Sequence, residues 1–111
     1  MRIWYRVRDL DAARAFYRDL LGFTETFVDE AERWATLDRE HTEIALTEGE
    51  PESEEGAVAT IDVQDVKGER QRLADAEVEV GTVLELHGAM RLLDVYDPDG
   101  NRIQLAEDLA P

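Results

Sequence analysis

The polar and apolar positions of this chain follow the same order twice. In the first half, apolar and polar side chains alternate over residues 2–8, which predicts a strand. Apolar residues then recur every three or four positions over residues 10–21 and end at Gly22, which predicts an amphipathic helix. Three short strands are predicted near 24–29, 33–38 and 43–48. The first half therefore reads as βαβββ.

The second half repeats this order. A strand at 57–63 precedes a helix at about 65–76, and three strands follow near 82–86, 90–96 and 101–107. Asp9 and Asp65 stand where an N-cap is expected at the start of each helix. The segment Asp97-Pro98-Asp99-Gly100-Asn101 predicts a tight turn, because proline presets one backbone angle and the glycine and asparagine tolerate positive φ.

The duplication predicts an α+β fold in a single domain over residues 1–111. Module 1 covers about 1–48, an acidic linker covers 49–56, and module 2 covers about 57–108. A duplicated unit with one open sheet face tends to pair that face with its twin. We therefore expect a cupped, eight-stranded mixed sheet with the helices on its outer face and a ligand cavity inside.

Composition narrows the class of protein. The chain has no cysteine, no basic and apolar leader pattern and no apolar run long enough to span a bilayer, so we expect a soluble cytoplasmic protein. Twenty-seven acidic residues oppose twelve basic ones, and Lys67 is the only lysine. The net charge of −15 repels phosphates and anionic lipids, which argues against nucleic acid and membranes as partners. It also predicts adaptation to high salt.

Strand alternation identifies the residues that would line the cavity. If Ile3, Tyr5 and Val7 pack on the helix, the intervening side chains of that strand face inward. Applied to each strand, this rule gives the candidate ligand-binding residues Arg2, Trp4, Arg6, Trp34, Thr36, Thr60, Asp62, Met90, Leu92, Asp94, Tyr96 and Gln104. Apolar walls with a few polar anchors are typical of a small-molecule pocket. The alternative is a filled core in which the tryptophans pack and the arginines pair with Asp62 and Asp94.

Several of these motifs together resemble the vicinal oxygen chelate superfamily, which includes glyoxalase I, extradiol dioxygenases, fosfomycin-resistance enzymes and bleomycin-resistance proteins. The resemblance is carried by Val7-Arg8-Asp9-Leu10, Phe16-Tyr17, Leu21-Gly22-Phe23 and the turn from Asp97 to Asn101. In the enzymes of that family, His, Glu or Gln side chains on the first and last strands of each half hold a divalent metal. The resemblance places these positions at Arg2, Ala45, Val58 and Gln104. Only Gln104 offers a usable donor, so no metal and no cofactor are expected.

The two histidines do not restore a metal site. His41 lies in a predicted hairpin loop, and His87 lies in a turn before the strand at 90–96. Neither has a carboxylate partner at a metal-binding spacing on a helix.

The expected function is a metal-free binding protein that resembles the bleomycin-resistance branch and takes a small aromatic or anionic molecule. The tryptophans would stack on the ligand, and Arg6 would hold an acidic group. Two alternatives stay open: an enzyme of the superfamily (a lyase, an isomerase or a dioxygenase-like member), with Asp62, Asp94 or Glu43 as base, and a structural or regulatory module with an empty cavity. Exposed sheet edges and the habits of the family predict a homodimer.

Overall fold

The computed structural model describes residues 3–51 and 58–109. Two α-helices lie within this part of the chain: α1 spans Leu10–Ala15 and runs into a π-helical turn at Phe16–Leu20, and α2 spans Val66–Asp75. The nine strands found there are β1 Ile3–Val7, β2 Thr24–Asp29, β3 Trp34–Arg39, β4 Thr42–Glu48, β5 Ala59–Asp62, β6 Glu79–Val80, β7 Leu84–Leu86, β8 Met90–Tyr96 and β9 Arg102–Asp108. Arg2 and most of the predicted linker lie outside the described residues.

The strands form two sheets. The first has the order β1-β4-β3-β2, and the second has the order β5-β9-β8-β6 with β7 beside β8. In each sheet the first strand runs parallel to the last, and the other neighbours are antiparallel. The predicted α+β class is therefore confirmed, and both modules follow the βαβββ order when β6 and β7, which both pair with β8, are counted as one interrupted strand. The expected single eight-stranded sheet is not found, because every ladder of the described strands joins strands of one module.

Local sequence signals account for most element boundaries. The Asp9 carboxylate accepts from the Ala12 amide at 3.2 Å, and the Asp65 carboxylate accepts from the Gly68 amide at 3.0 Å, so both predicted N-caps are confirmed. The first helix differs from the expected continuous α-helix, because it widens into a π-helical turn at Phe16–Leu20. The strand predicted at 82–86 is reduced to the short β7, with β6 starting earlier.

A single apolar core runs through both modules. Tyr5 and Val7 face it from β1, as the alternation predicted, and Ile61 and Leu105 face it from β5 and β9. The helices contribute their apolar stripes to the same core, including Leu10, Tyr17, Val66 and Leu73. Among the helices described here, none is both long and apolar enough to cross a membrane.

Candidate functional site

The open face of the first sheet, opposite α1, brings the two tryptophans together. Trp4 on β1 and Trp34 on β3 have ring centroids 5.8 Å apart. Trp4 is 53% exposed, so it is not part of the core of this chain. Arg6 lies one pleat further along β1, on the same face and in register with Thr47.

A third aromatic ring joins this face because β2 contains a bulge. Thr26 and Phe27 both lie opposite Thr36, since the register shifts between Glu25 and Phe27. The Phe27 ring is 4.9 Å from Trp34 and the side chain is 49% exposed. Strict alternation would put Phe27 on the helix side beside Glu25, which is why sequence reasoning missed it. The only signal in the sequence was that apolar and polar residues do not alternate regularly over residues 24–29.

We call Trp4, Phe27 and Trp34 the aromatic cluster. Ring centroids at 4.5–7 Å are the separations at which aromatic pairs attract. A lone exposed aromatic side chain is common on protein surfaces, but three adjacent rings with two of them half exposed form a contiguous apolar patch. A planar molecule can stack on the flat surfaces of such a patch.

Thr36, a predicted lining residue, lies beside this cluster but is largely covered. Its hydroxyl is 2.5 Å from the Thr26 hydroxyl, and the residue is 4% exposed. The hydroxyl pair satisfies both groups across the bulge. Thr36 therefore contributes to holding Phe27 in place more than to open surface.

The open face of the second sheet is more polar. Thr60, Gln104 and Asp94 are neighbours in one row across β5, β9 and β8. An Arg102 guanidinium nitrogen lies 3.5 Å from Asp94 Oδ2, and both side chains are partly exposed. Tyr96 is in register with Arg102. Asp94 therefore pairs with an arginine of its own sheet, at a partly exposed position and not in a closed core.

The other predicted lining residues of this module lie along the same strands. Met90 and Leu92 are half-buried on β8, where they are in register with Leu86 and Leu84 of β7. Both β7 leucines are exposed. The apolar part of this face therefore continues onto β7.

Asp62 is the last residue of β5, where it borders a cleft beside the start of α2. The cleft has a volume of about 450 Å³ and runs between the β3–β4 turn and the start of α2. Its two arginines, Arg39 and Arg72, both donate to Glu69, at 2.7 and 2.8 Å. Because Glu69 of module 2 pairs with Arg39 of module 1 as well as with Arg72, these contacts form a polar junction between the modules.

The side chains at the positions that the sequence resemblance assigns to metal ligands do not fit a metal ion. Ala45 is fully buried on β4 between Trp4 and Thr36, and it has no donor atom. Val58 also lacks a donor, and Arg2 lies outside the described residues. Among the residues that the structure describes, no group of three or more His, Asp or Glu side chains is placed to hold a metal ion.

The remaining sequence candidates lie apart from one another. His41 and His87 are exposed in turns, as predicted, each with positive φ. Glu43 lies on β4 opposite Asp38 and is half-buried. The proposed enzyme bases Asp62, Asp94 and Glu43 are thus on three different strands in two sheets.

A family model described as the Glyoxalase/Bleomycin resistance protein/Dioxygenase superfamily matches residues 2–105. No curated protein sequence matches the chain. Among solved structures, the fosfomycin resistance protein FosX from Listeria monocytogenes is similar with a TM-score of 0.81 at 19% identity, covering 96% of this chain and 90% of that one. A lactoylglutathione lyase from Agrobacterium tumefaciens has a TM-score of 0.73 at 20% identity, covering 96% and 91%. At these identities the likeness to solved structures establishes the fold alone.

Proposed function

The chain belongs to the glyoxalase/bleomycin resistance protein/dioxygenase superfamily, and we propose that it is a metal-free member that binds a small aromatic or anionic molecule between its open sheet faces. The family membership confirms the resemblance seen in the sequence. The observation that supports binding is the aromatic cluster, whose rings touch each other yet leave about half of Trp4 and Phe27 exposed.

The chemistry of the two faces is complementary to a planar organic acid. The aromatic cluster supplies stacking surface, and Arg6 on the same strand as Trp4 supplies a planar cation that can pair with a carboxylate. The second sheet supplies hydrogen-bonding groups at Gln104 and Thr60. Neutral aromatic molecules would lack the charge pair with Arg6, so they should bind more weakly.

Indole fluorescence tests this proposal directly, because both tryptophans belong to the aromatic cluster. We expect planar acids to quench this fluorescence saturably. 4-Nitrobenzoate should bind more tightly than 4-nitrobenzamide, which has nearly the same shape without the charge. Free tryptophanamide provides the control for collisional and inner-filter quenching. The proposal fails if a broad library of aromatic and acidic compounds gives only the linear quenching seen with tryptophanamide.

Metal content separates the proposal from the enzyme alternative. Because Ala45 and Val58 have no donor atoms, we expect no stoichiometric zinc, nickel, iron or manganese after incubation with each ion and desalting. Elemental analysis by plasma mass spectrometry gives the measurement. One tightly held equivalent per chain would instead favour a metal-dependent lyase, isomerase or dioxygenase-like member of the superfamily.

A second copy of the chain is the proposed partner. In one chain, Leu84 and Leu86 on the second sheet leave 49% and 38% of their surfaces exposed. Burying these leucines is favourable, and a symmetric homodimer contact through β7 would cover them while leaving the aromatic cluster open to a ligand. Light scattering at 1 M KCl should give about twice the chain mass of 12.6 kDa. A mass near 12.6 kDa at every concentration tested would count against the dimer.

A further inference from the structure

A buried carboxylate joins the two modules at the turn that precedes β9. Asp97 is 4% exposed, and the hydroxyl of the fully buried Tyr17 donates to its Oδ2 at 2.7 Å. The Asn101 side-chain amide donates to the same oxygen at 2.9 Å. The backbone amides of Asp99 and Asn101 donate to Oδ1 at 2.9 and 2.8 Å. Tyr17 is the donor that comes from module 1, and the other three come from the turn itself.

The same turn also holds the end of β1. The Asn101 side-chain amide donates to the Arg6 carbonyl at 2.9 Å. The Asp99 carboxylate accepts from the Arg8 backbone amide at 3.1 Å and from its guanidinium at 3.2 Å. β1 is the strand that carries Trp4 and Arg6 on the open face of the first sheet, while the turn leads directly into β9 of the second sheet. Asp97 therefore lies where the two faces are connected.

A second buried phenol continues this polar seam. The Tyr5 hydroxyl donates to the Arg102 carbonyl at 2.7 Å and accepts from the Ala59 amide at 2.9 Å. Its ring stacks on Tyr17 with centroids 6.3 Å apart. β1 is thereby linked to the first residue of β5 and the first residue of β9. Burial raises the pKa of Tyr5 to about 12, so the hydroxyl remains a donor under all ordinary conditions.

We propose that Asp97 is a positioning residue that fixes the two open faces relative to each other and thereby sets the affinity for a ligand that contacts both. This inference rests on the proposed ligand-binding function. A buried carboxylate with four fixed donors tolerates little displacement, because any shift of one module leaves a buried polar group without its partner. The preferred arrangement of the modules is therefore the one that keeps the Tyr17 hydroxyl on Asp97.

Two variants separate the link between modules from the integrity of the turn. Tyr17→Phe removes one hydroxyl, leaves the ring in the core and spares the three donors within the turn. Asp97→Asn keeps the size of the side chain but replaces one carboxylate oxygen by an NH2 group. That group then faces hydrogen-bond donors that need an acceptor. If Asp97→Asn does not fold, Tyr17→Phe decides the question by itself.

Residual dipolar couplings of the full-length protein measure the module arrangement without any ligand. In the wild type, the amide couplings of both modules should fit the coordinates with a single alignment tensor. The amides used are those of β1, β3 and β4 in module 1 and of β5, β8 and β9 in module 2. In Tyr17→Phe and Asp97→Asn, we expect the two modules to require different tensors. We also expect the Kd for 4-nitrobenzoate to rise about two- to tenfold, in the lower part of the range typical of coupling between neighbouring groups.

Glu107→Gln is the matched control, because this carboxylate accepts from the Val66 amide at 2.9 Å and from the Arg91 guanidinium at 3.5 Å, and both partners belong to module 2. It should lower the melting temperature while leaving the common tensor and the Kd unchanged. A common tensor and a wild-type Kd in both seam variants would overturn the proposal. Changed tensors with an unchanged Kd would overturn the claim that the arrangement sets affinity. If the wild type fails to bind the probe, the proposed function fails, and the tensors still decide whether Asp97 positions the modules.

Discussion

Arg6→Ala is expected to weaken the binding of 4-nitrobenzoate by about ten- to a hundredfold. A hydrogen-bonded arginine–carboxylate pair shielded from water contributes on the order of 1.5–3 kcal/mol, which corresponds to that change in Kd. The binding of 4-nitrobenzamide should change little, because this amide carries no charge that could pair with Arg6. Calorimetric titration of both compounds gives the measurement.

Arg18→Ala provides the control for net charge. Arg18 is an exposed arginine on the helical side of the same module, where it pairs with Asp19 and Glu25. Replacing Arg18 changes the net charge by the same amount as replacing Arg6, but it removes no charge from the open face. Equal losses in both variants would show that overall charge, and not Arg6 itself, governs the affinity for acids.

Trp4→Ala and Phe27→Ala should weaken the acid and the amide alike, by about two- to tenfold each, since an aromatic contact contributes on the order of 0.5–1.5 kcal/mol. Both side chains are about half exposed, so their removal should cost little stability. If either substitution instead unfolds the chain, the aromatic cluster is structural and the binding proposal should be abandoned.

Raising KCl from 0.01 to 1 M is expected to increase the melting temperature by about 10 °C, which corresponds to roughly 2 kcal/mol for a domain of this size. The net charge of −15 makes the folded chain repel itself. Over this range the Debye length falls from about 30 Å to about 3 Å, so this repulsion is screened. Differential scanning calorimetry gives the measurement. A flat or falling melting temperature would contradict the prediction of salt adaptation.

Ion pairs on the surface act in the opposite direction, because salt weakens them. Arg14 pairs with Glu25 at 2.7 Å, and Arg33 pairs with Glu48 at 3.1 Å beside the start of α1. The hydrogen bond from Arg14 lowers the pKa of Glu25. Ion pairs at the surface contribute only about 0–1 kcal/mol each, and partly buried pairs such as Arg14–Glu25 are screened less by salt, so the screening of the excess negative charge should dominate.

A charge-reduced variant isolates the contribution of the net charge. Glu32→Gln, Glu77→Gln and Glu79→Gln replace three exposed carboxylates and change the net charge from −15 to −12. The rise of melting temperature with KCl should become smaller in this variant. KCl is preferable to sulfate, because sulfate also stabilises proteins by exclusion from their surface.

The sequence by itself determined the parts of this protein that depend on local pattern. Alternation placed Tyr5 and Val7 in the core and Trp4 and Arg6 on the open face, because successive side chains of a strand point to opposite sides. The caps at Asp9 and Asp65 followed from the unpaired amides at the start of any helix. The βαβββ repeat and the family motifs followed from the same short-range signals.

The tertiary structure alone decided where those elements meet. The bulge in β2 turned Phe27 onto the open face, and strand alternation cannot show a bulge. Asp62, expected on the cavity face, also borders the cleft beside α2, and strand alternation cannot show such a neighbour. Among the described residues, side chains and not one continuous sheet join the two modules. Tyr17 and Asp97 are 80 positions apart, and Tyr5 and Arg102 are 97 apart. Partners at such separations are chosen by packing of the whole core, because nothing in the neighbouring sequence specifies which buried donor will reach which acceptor.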